Sequence, residues 1–301
     1  MLRASANLKM LGELGKVRSV LDVGASRGAF YEAFREINSV AKYAAIEKDD
    51  LMLSLLHNLG VPVLGSDVEE LELPKRAYDL IYCSHTLEHL VSPRQTLMKL
   101  GEAITDGGRA FFEVPNFEIV VRSDFVEEFF LDKHAFHFTE LTFLSMLGSY
   151  GWRPISLFVD DENISVIAAP RERDEVTILG ASPLLSKNLM DAYLERKVEA
   201  IEKLATIATR LNKLARETSL AIWGAGRIFD ALIEAGFQAE RACVIDKYLD
   251  AVNGNTVYRP YFLKRCKPEV VVICSRTYKD EIREEAKGLV PEAKILVWNE
   301  V

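Results

Sequence analysis

Side chains that could move a proton are concentrated in one part of this 301-residue chain. All five histidines precede residue 138: His57, His85, His89, His134 and His137. Imidazole titrates near neutral pH and is a common general base and metal ligand. His57 lies in an apolar helical stretch, where a structural role is expected. The candidate catalytic residues are His85, Glu88, His89, His134 and His137.

Structural roles for these side chains are the alternative. His89 could pack against or cap the following helix, and Glu88 could end a helix. His134 and His137 could hydrogen-bond backbone groups and hold a loop against a sheet. Spacing alone assigns no metal ligand among them. The four cysteines, which include no Cys-x-x-Cys pair, are expected to be reduced and buried.

A glycine turn near the N-terminus is the most informative element. Residues 20–30 run from an apolar strand through Gly24 and Gly28 into a helix. Glycines let a ligand approach the backbone, and the helix start offers free N–H groups. The same residues match Gly-x-Ser-x-Gly, with Ser26 as a hydrolase nucleophile. That hypothesis is disfavoured, because no histidine follows residue 137 and the turn comes after the first strand.

Strands and helices alternate along the first half, which favours an α/β fold with a parallel sheet. The expected strands are Arg18–Val23, Tyr43–Glu47, Pro62–Leu64, Asp79–Ser84 and Arg109–Val114. The expected helices are Ala29–Ile37, Asp50–Leu59 and Pro93–Ile104. Trp152–Val159 and Ile164–Ala169 flank a polar tetrapeptide and are expected to form an antiparallel hairpin. Phe117–Phe138 is a long excursion, rich in Phe and acid and with weak periodicity, and long excursions in compact domains are often lids or substrate loops.

Three regions follow from these patterns: a domain over residues 1–170, a helical linker over 171–218, and a smaller α/β domain over 219–301. The linker contains a helix at about Leu185–Arg216 with apolar residues three and four apart. It could pack on a domain or pair with a second copy as a homodimer. The last domain opens with a strand and the turn Gly224-Ala225-Gly226.

The charge and hydropathy of the sequence limit the kinds of partner that the protein is expected to bind. Residues 1–170 contain 16 Lys/Arg and 25 Asp/Glu, a net charge of −9, which disfavours nucleic acid as a substrate. The sequence has no apolar run long enough for a membrane span and no signal-peptide pattern at its start. We therefore expect a cytoplasmic protein.

Asp22-Val23-Gly24-Ala25-Ser26-Arg27-Gly28 resembles motif I of the class I S-adenosylmethionine (SAM) dependent methyltransferases. The resemblance implies a Rossmann-like seven-stranded sheet and SAM as the cofactor. Glu47 would bind the ribose hydroxyls, and Asp67 and Val68 would contact adenine. Residues 78–84 resemble the fourth-strand motif, and residues 107–116 the fifth, with Asp106 replacing a usual proline. The implied cofactor-binding residues are Asp22, Gly24, Ala25, Ser26, Gly28, Glu47, Asp67, Val68 and Ser84.

Two further stretches resemble particular branches of that superfamily. Glu88-His89 matches the end of the Glu-x-x-Glu-His motif of ubiquinone-type O-methyltransferases, which is associated with a divalent cation, although His85 replaces the first glutamate. Residues 134–139 resemble a His-x-x-x-Phe-Thr segment. In related sugar C-methyltransferases, a histidine of this region acts as the base.

The C-terminal region resembles the last domain of the NDP-sugar C-methyltransferases. The matching residues are the turn at 224–226, Val244-Ile245-Asp246, Gly254 and residues 270–282; the family's zinc-binding domain is absent. The resemblance implies methylation of a sugar, nucleotide-sugar or glycan intermediate, at oxygen, nitrogen or carbon. The alternatives are a natural-product or quinone-type O-methyltransferase, an NAD-binding oxidoreductase that uses Gly224, Gly226 and Asp246, and a non-catalytic assembly protein.

Overall fold

The structure is a computed structural model that describes residues 2–122, 124–127, 134–171 and 183–301. Its residues fall into two compact units. The first comprises Met1–Ile119 with Phe130–Ser186, and the second comprises Val120–Phe129 with Lys187–Val301. The helix predicted over 185–216 is confirmed and runs over Pro183–Glu217 (α6). No helix in the described ranges is long and apolar enough to span a bilayer.

The first unit is a seven-stranded sheet with helices on both faces. Its helices are Leu2–Leu11 (α1), Ala29–Ile37 (α2), Asp50–Asn58 (α3), Pro93–Ala103 (α4) and Glu140–Ser149 (α5). Its strands are Ser19–Val23 (β1), Lys42–Ile46 (β2), Val63–Gly65 (β3), Tyr78–Ser84 (β4), Ile104–Pro115 (β5), Trp152–Val159 (β6) and Asn163–Pro170 (β7). The spatial order is β3-β2-β1-β4-β5-β7-β6.

The predicted parallel sheet and hairpin are both confirmed. Strands β1 to β5 pair in parallel, whereas β7 runs antiparallel to β5 and β6. Alternate residues of β1 enter cores on opposite faces, with Val20 on one and Leu21 on the other. The strand order reverses between β1 and β4, and ligands of open α/β sheets bind at the carboxyl ends beside such a reversal.

The second unit is a smaller α/β sheet, as expected. Its strands are Leu220–Trp223 (β8), Cys243–Ile245 (β9), Ala251–Val252 (β10), Asn255–Tyr258 (β11), Val270–Ile273 (β12) and Lys294–Val297 (β13). Its further helices are Arg227–Glu234 (α7), Leu263–Cys266 (α8) and Lys279–Leu289 (α9). The spatial order is β10-β11-β9-β8-β12-β13, with β10 antiparallel to β11.

The apolar residues that recur three and four apart along helix α6, the apolar seam, differ in burial between its two halves. Leu204, Ala208 and Leu211 are buried in the core of the second unit. Met190, Leu194 and Ile201 are exposed. The second half of the seam therefore packs on the second unit, which agrees with the first of the two roles expected for this helix, packing on a domain.

Candidate functional site

The predicted glycine turn lies at the carboxyl end of β1. Gly24 and Gly28 have φ angles of 76° and 81°, and Ser26 has a φ of 49°, so the chain makes a tight left-handed turn into α2. The N–H groups of Gly24 and Ala25 both donate to the carbonyl of Ile46. The turn is thereby fixed against the end of β2.

Glu47 follows β2 and connects directly to that turn. Its Oε2 accepts from the Ser26 N–H at 2.6 Å, and its Oε1 accepts from the Asp49 N–H at 2.8 Å. Each carboxylate oxygen retains a second acceptor direction, as binding of two ribose hydroxyls requires. Binding of ribose by Glu47 stays a prediction.

Asp67 and Val68 follow β3, as the resemblance placed them. Asp67 accepts from the exposed Lys48 ammonium at 2.6 Å and from the Glu69 N–H at 2.9 Å. The Lys48 hydrogen bond is the largest cause that holds the Asp67 pKa below its usual value. Val68 is buried in the core. An adenine amine would share Asp67 with Lys48.

Asp22 is the buried acid of the turn motif. Its Oδ2 accepts from the Tyr43 hydroxyl at 2.6 Å, whereas its Oδ1 has no hydrogen-bond partner within the described part of the chain. Burial raises the Asp22 pKa to about 7, although the Tyr43 hydrogen bond acts in the opposite direction. Sequence reasoning did not identify Tyr43.

A second group of side chains surrounds Glu88, which is only 1% exposed. Neither oxygen of its carboxylate has a hydrogen-bond partner among the described residues. His85 Nδ1 lies 3.4 Å and His89 Nε2 lies 3.8 Å from Glu88 Oε1. The rings of His89 and His134 are 4.7 Å apart, and those of His134 and His137 are 6.1 Å apart. The structure thus brings all five predicted catalytic residues together. This group, the Glu88 cluster, consists of His85, Glu88, His89, His134 and His137.

His85 has a distinct geometry within this group. It follows β4 with a φ of 51°, a left-handed conformation that non-glycine residues adopt uncommonly. Its Nε2 lies 2.9 Å from Asn163 Oδ1, so Nε2 carries the proton when the ring is neutral. The remaining basic atom is Nδ1, on the side of Glu88.

His137 lies beside Phe117, with ring centroids 5.8 Å apart. Burial lowers the His137 pKa, and the negative charge of Glu88 opposes this shift. A neutral imidazole is therefore favoured at His137 near neutral pH, as a base requires.

Residues 3–157, half of the chain, match the family model described as a methyltransferase domain. The chain belongs to this methyltransferase domain family. Its cofactor is S-adenosylmethionine. SAM offers ribose hydroxyls together with two cationic groups. The glycine turn, Glu47 and the Asp22 oxygen that has no partner among the described residues fit these groups.

Several known methyltransferases are similar to this one. The ubiquinone biosynthesis O-methyltransferase of Proteus mirabilis is 29% identical over 121 residues, which cover 36% of this chain and 49% of that protein. The protein of the same name from Vibrio atlanticus is 29% identical over 113 residues, covering 36% and 47%. The chain thus spans about half the length of these curated relatives.

Among solved structures, a SAM-dependent methyltransferase from Mesorhizobium loti is 18% identical with a TM-score of 0.46, over 55% of this chain and 95% of that chain. One from Aquifex aeolicus is 22% identical with a TM-score of 0.45, over 55% and 88%.

Sequence reasoning did not identify Glu113, a buried acid on β5 of this methyltransferase domain. Glu113 is buried on β5 and accepts from Ser84 Oγ at 2.6 Å, Ser165 Oγ at 2.8 Å and Asn7 Nδ2 at 3.2 Å. Its Oε1 lies 3.7 Å from His85 Nε2. A single acid within the apolar stretch 110–114 was the available signal. Ser84, predicted to bind the cofactor, has its hydroxyl hydrogen directed to Glu113.

The Gly-x-Gly turn of the second unit repeats the arrangement around Glu47. Asp246 follows β9 and accepts from the Ala225 N–H at 3.1 Å. Its other oxygen accepts from the Tyr248 and Leu249 N–H groups. Gly224 has a φ of 111°, and a Cβ there would approach the Cys274 carbonyl to 2.6 Å. Asp246 therefore has a structural role in fixing this turn.

Proposed function

We propose that this methyltransferase transfers the methyl group of SAM to a hydroxyl group of a small-molecule acceptor, and that the Glu88 cluster takes up the acceptor's proton. The observation that carries this proposal is the buried Glu88 carboxylate, unpartnered among the described residues, with four histidines around it. A buried charge without hydrogen bonds is costly, and such groups concentrate at functional sites.

The cofactor would be held by the residues of the first turn. Glu47 would accept from the ribose hydroxyls, and Asp67 and the Val68 N–H would contact adenine. When bound, SAM supplies an electrophilic methyl group on a positively charged sulfur. Asp22 would contribute negative charge near this cationic ligand, which favours its binding in a partly dry site.

The histidines would act on the acceptor. A hydroxyl oxygen that attacks the methyl carbon loses its proton as the carbon–sulfur bond breaks. His85 Nδ1 is the atom best placed to receive this proton, because Asn163 occupies Nε2. Glu88 would stabilise the imidazolium that forms, and His137, kept neutral by burial, is the second candidate base.

Glu88, His89 and His134 could also bind a divalent cation. Each offers one ligand atom, and these atoms lie within 4.8 Å of one another. Two imidazoles and one carboxylate suit a first-row transition metal better than Mg²⁺, which prefers oxygen ligands. A cation there would lower the pKa of a bound acceptor hydroxyl.

For the acceptor, we infer a sugar, nucleotide-sugar or glycan intermediate. The support is the likeness of residues 219–301 to the last domain of NDP-sugar C-methyltransferases, which implies that this domain holds an elongated acceptor. Methylation at nitrogen or carbon is the alternative within this class. A quinone-type phenol is the second candidate, favoured by the ubiquinone O-methyltransferase relatives and by the pair Glu88-His89.

Mass spectrometry tests the reaction. The full-length protein is incubated with SAM and with panels of sugar nucleotides and of substituted catechols, and a gain of one CH₂ in either panel identifies the acceptor class.

Variants test the catalytic residues. His85→Ala should abolish methyl transfer while calorimetry shows unchanged SAM affinity. His57→Ala is the matched control, because His57 is an exposed residue of α3. No heat on SAM addition, with heat on NADH addition, would instead favour the oxidoreductase. Full turnover in both His85→Ala and His137→Ala would remove the catalytic assignment.

Cobalt absorption tests the cation site separately, because Co²⁺ bound by imidazole gives visible bands without any turnover. The bands should appear in the wild type and in His85→Ala, and they should be lost in Glu88→Gln and His134→Ala. Equal bands in all four proteins would place the metal elsewhere.

We also propose a cytoplasmic protein that forms a homodimer through the exposed seam residues of α6, Met190, Leu194 and Ile201. A row of exposed apolar residues on one helix face favours such pairing. Light scattering should give a dimer for the wild type and a monomer for Leu194→Glu. A wild-type monomer would remove this proposal.

A further inference from the structure

The loop 67–71 follows β3 in the first unit and carries Asp67 and Val68, the residues proposed to contact adenine. It is neither helix nor strand. Its own hydrogen bonds converge on Asp67, whose carbonyl accepts from the N–H groups of Glu70 and Leu71 at 3.2 and 3.1 Å. The carbonyls of residues 68, 69 and 71 accept instead from a side chain of another element.

That side chain is Lys99 of α4. Its Nζ donates to the carbonyls of Val68, Glu69 and Leu71 at 2.8, 2.9 and 2.7 Å. An ammonium group has three N–H bonds, so Lys99 uses its full donor capacity on one loop. Hydrogen bonds from a charged donor are stronger than those between neutral groups. Lys99 is also half-buried, which reduces the competition from water.

Glu69 makes a second connection between the loop and α4. Its carboxylate accepts from the Ser92 N–H at 2.6 Å and from the Val91 N–H at 3.1 Å, directly before the helix begins. The loop is therefore attached at the start of α4 through Glu69 and further along it through Lys99. The helix is itself fixed in the core, where Leu97 is fully buried. Two attachments to a fixed helix determine both the position and the orientation of the loop.

We propose that Lys99 is a positioning residue for the adenine end of SAM: it holds loop 67–71 on α4 and keeps the Asp67 carboxylate and the Val68 N–H where the base can meet both. Without Lys99, the loop would sample other conformations and present these groups in only a fraction of the molecules. The adenine contact rests on the proposed function, whereas the ordering of the loop does not.

Lys99→Met tests the ordering, because it removes all three donors and keeps the length of the side chain. Amide hydrogen exchange at residues 68–71 should become faster by roughly tenfold or more. Exchange in β1 should stay unchanged, which shows that the fold is retained. Lys99→Arg should keep part of the protection, because a guanidinium retains the charge but distributes its donors over a planar fork.

The choice between two bases tests the positioning. S-adenosylhomocysteine is SAM without its methyl group, and S-inosylhomocysteine has a carbonyl oxygen in place of the adenine amine. Asp67 can accept from the amine only, so calorimetry should show that the wild type prefers the adenosyl compound by roughly tenfold or more.

Lys99→Met should reduce this preference. The adenosyl compound gains affinity from an ordered loop, so it should bind about tenfold more weakly if the loop is ordered in about a tenth of the molecules. The inosyl compound gains little from the loop and should lose much less. A change that affected only the stability of the fold would weaken both compounds equally and leave the preference unchanged.

Lys75→Met is the matched control. The Lys75 ammonium also pairs with α4, 3.0 Å from Glu102 Oε2, but both side chains are exposed. This variant removes the same charge beside the same helix. It should leave the exchange at residues 68–71 and the preference between the two compounds unchanged, because exposed pairs contribute little.

Three results would overturn the proposal: unchanged exchange at residues 68–71 in Lys99→Met, faster exchange there with an unchanged preference, or equal effects in Lys99→Met and Lys75→Met. A wild type that does not prefer the adenosyl compound would count against the proposed adenine contact of Asp67. The exchange result would then still decide whether Lys99 orders the loop.

Discussion

Replacement of Asp22 by Asn should make the stability of the first unit less dependent on pH. Burial raises the Asp22 pKa from 3.8 to about 7, so the folded state holds this proton more tightly than the unfolded state does. Asp22 therefore favours folding at low pH, and this contribution is lost as the pH rises from about 4 to about 7. Asn carries no charge at any of these pH values.

The expected magnitude follows from the size of the shift. Three units correspond to about 4 kcal/mol in total, of which about 2.5 kcal/mol falls between pH 5 and pH 8. The Asn side chain would place an N–H donor at the position of Oδ1, which has no partner among the described residues, and we expect this to cost about 1–2 kcal/mol of stability. Wild type and Asp22→Asn should thus be about equally stable at pH 5, and the variant should be more stable by about 2–3 kcal/mol at pH 8.

Urea unfolding at pH 5, 6, 7 and 8 measures this difference. A short hydrogen-exchange pulse before mass spectrometry of the β1 peptide at each urea concentration reports the first unit alone. Asp79→Asn is the control. Burial raises the Asp79 pKa, but hydrogen bonds from Arg18 and Thr105 lower it further, so its net shift is downward. The stabilisation by Asp79 is present above pH 4 and is lost only below it. The difference in free energy of unfolding between wild type and Asp79→Asn should therefore stay constant from pH 5 to pH 8.

An equal difference in free energy of unfolding between wild type and Asp22→Asn at pH 5 and at pH 8 would refute the reasoning. It would mean that Asp22 ionises with an ordinary pKa in the folded state, and hence that burial does not dominate at this position. The shifted pKa of His137 does not disturb the comparison, because it contributes equally to both proteins.

Two other predictions concern the same turn. Glu47→Gln should weaken SAM binding by roughly tenfold or more in calorimetry, because a neutral amide can no longer accept from two hydroxyls as a carboxylate does; unchanged affinity would remove Glu47 from the ribose site. Gly28→Ala should destabilise the protein by about 2–3 kcal/mol in urea unfolding, since its φ is 81° and the new Cβ would approach Leu59 Cδ1 to 2.8 Å. Gly12→Ala, with a φ of 70° and open space, should cost only about 1 kcal/mol.

What the sequence predicted well was local. The bounds of α2 agree with the expectation, because a glycine turn, an amphipathic pattern and Asn38 define both ends within a dozen residues. Helix α1 was not predicted, although Leu8 and Leu11 are buried in the first unit. The fifth strand begins at Ile104, earlier than expected, because residues 104–108 continue beside β4 through an irregular register.

What the sequence could not predict depends on residues that are distant along the chain. Glu113 is satisfied by donors from α1, β4 and β7, and no pattern near residue 113 indicates that these three segments meet. Glu127, in a segment that belongs to the second unit, pairs with Arg276, which lies 149 residues later, and no pattern near residue 127 indicates this pairing. Phe117–Phe138 was predicted to be a functional loop; residues 123 and 128–133 of it lie outside the described residues, and its role stays a prediction.

The two glycine turns share one hydrogen-bonding pattern but differ in the acceptor capacity that their acids retain. In both, an acid at the end of the second strand accepts from a backbone N–H of the turn that lies 21 residues earlier, Ser26 for Glu47 and Ala225 for Asp246. This hydrogen bond fixes the turn, so the pattern of glycines and acid is required by the fold whether or not a ligand binds. The difference lies in what remains: Glu47 accepts two N–H groups with one on each oxygen, whereas Asp246 accepts three. We therefore expect a ligand-binding carboxylate to differ from a purely structural one in its unused acceptor directions. These depend on the residues after the acid, and the spacing of the motif does not report them.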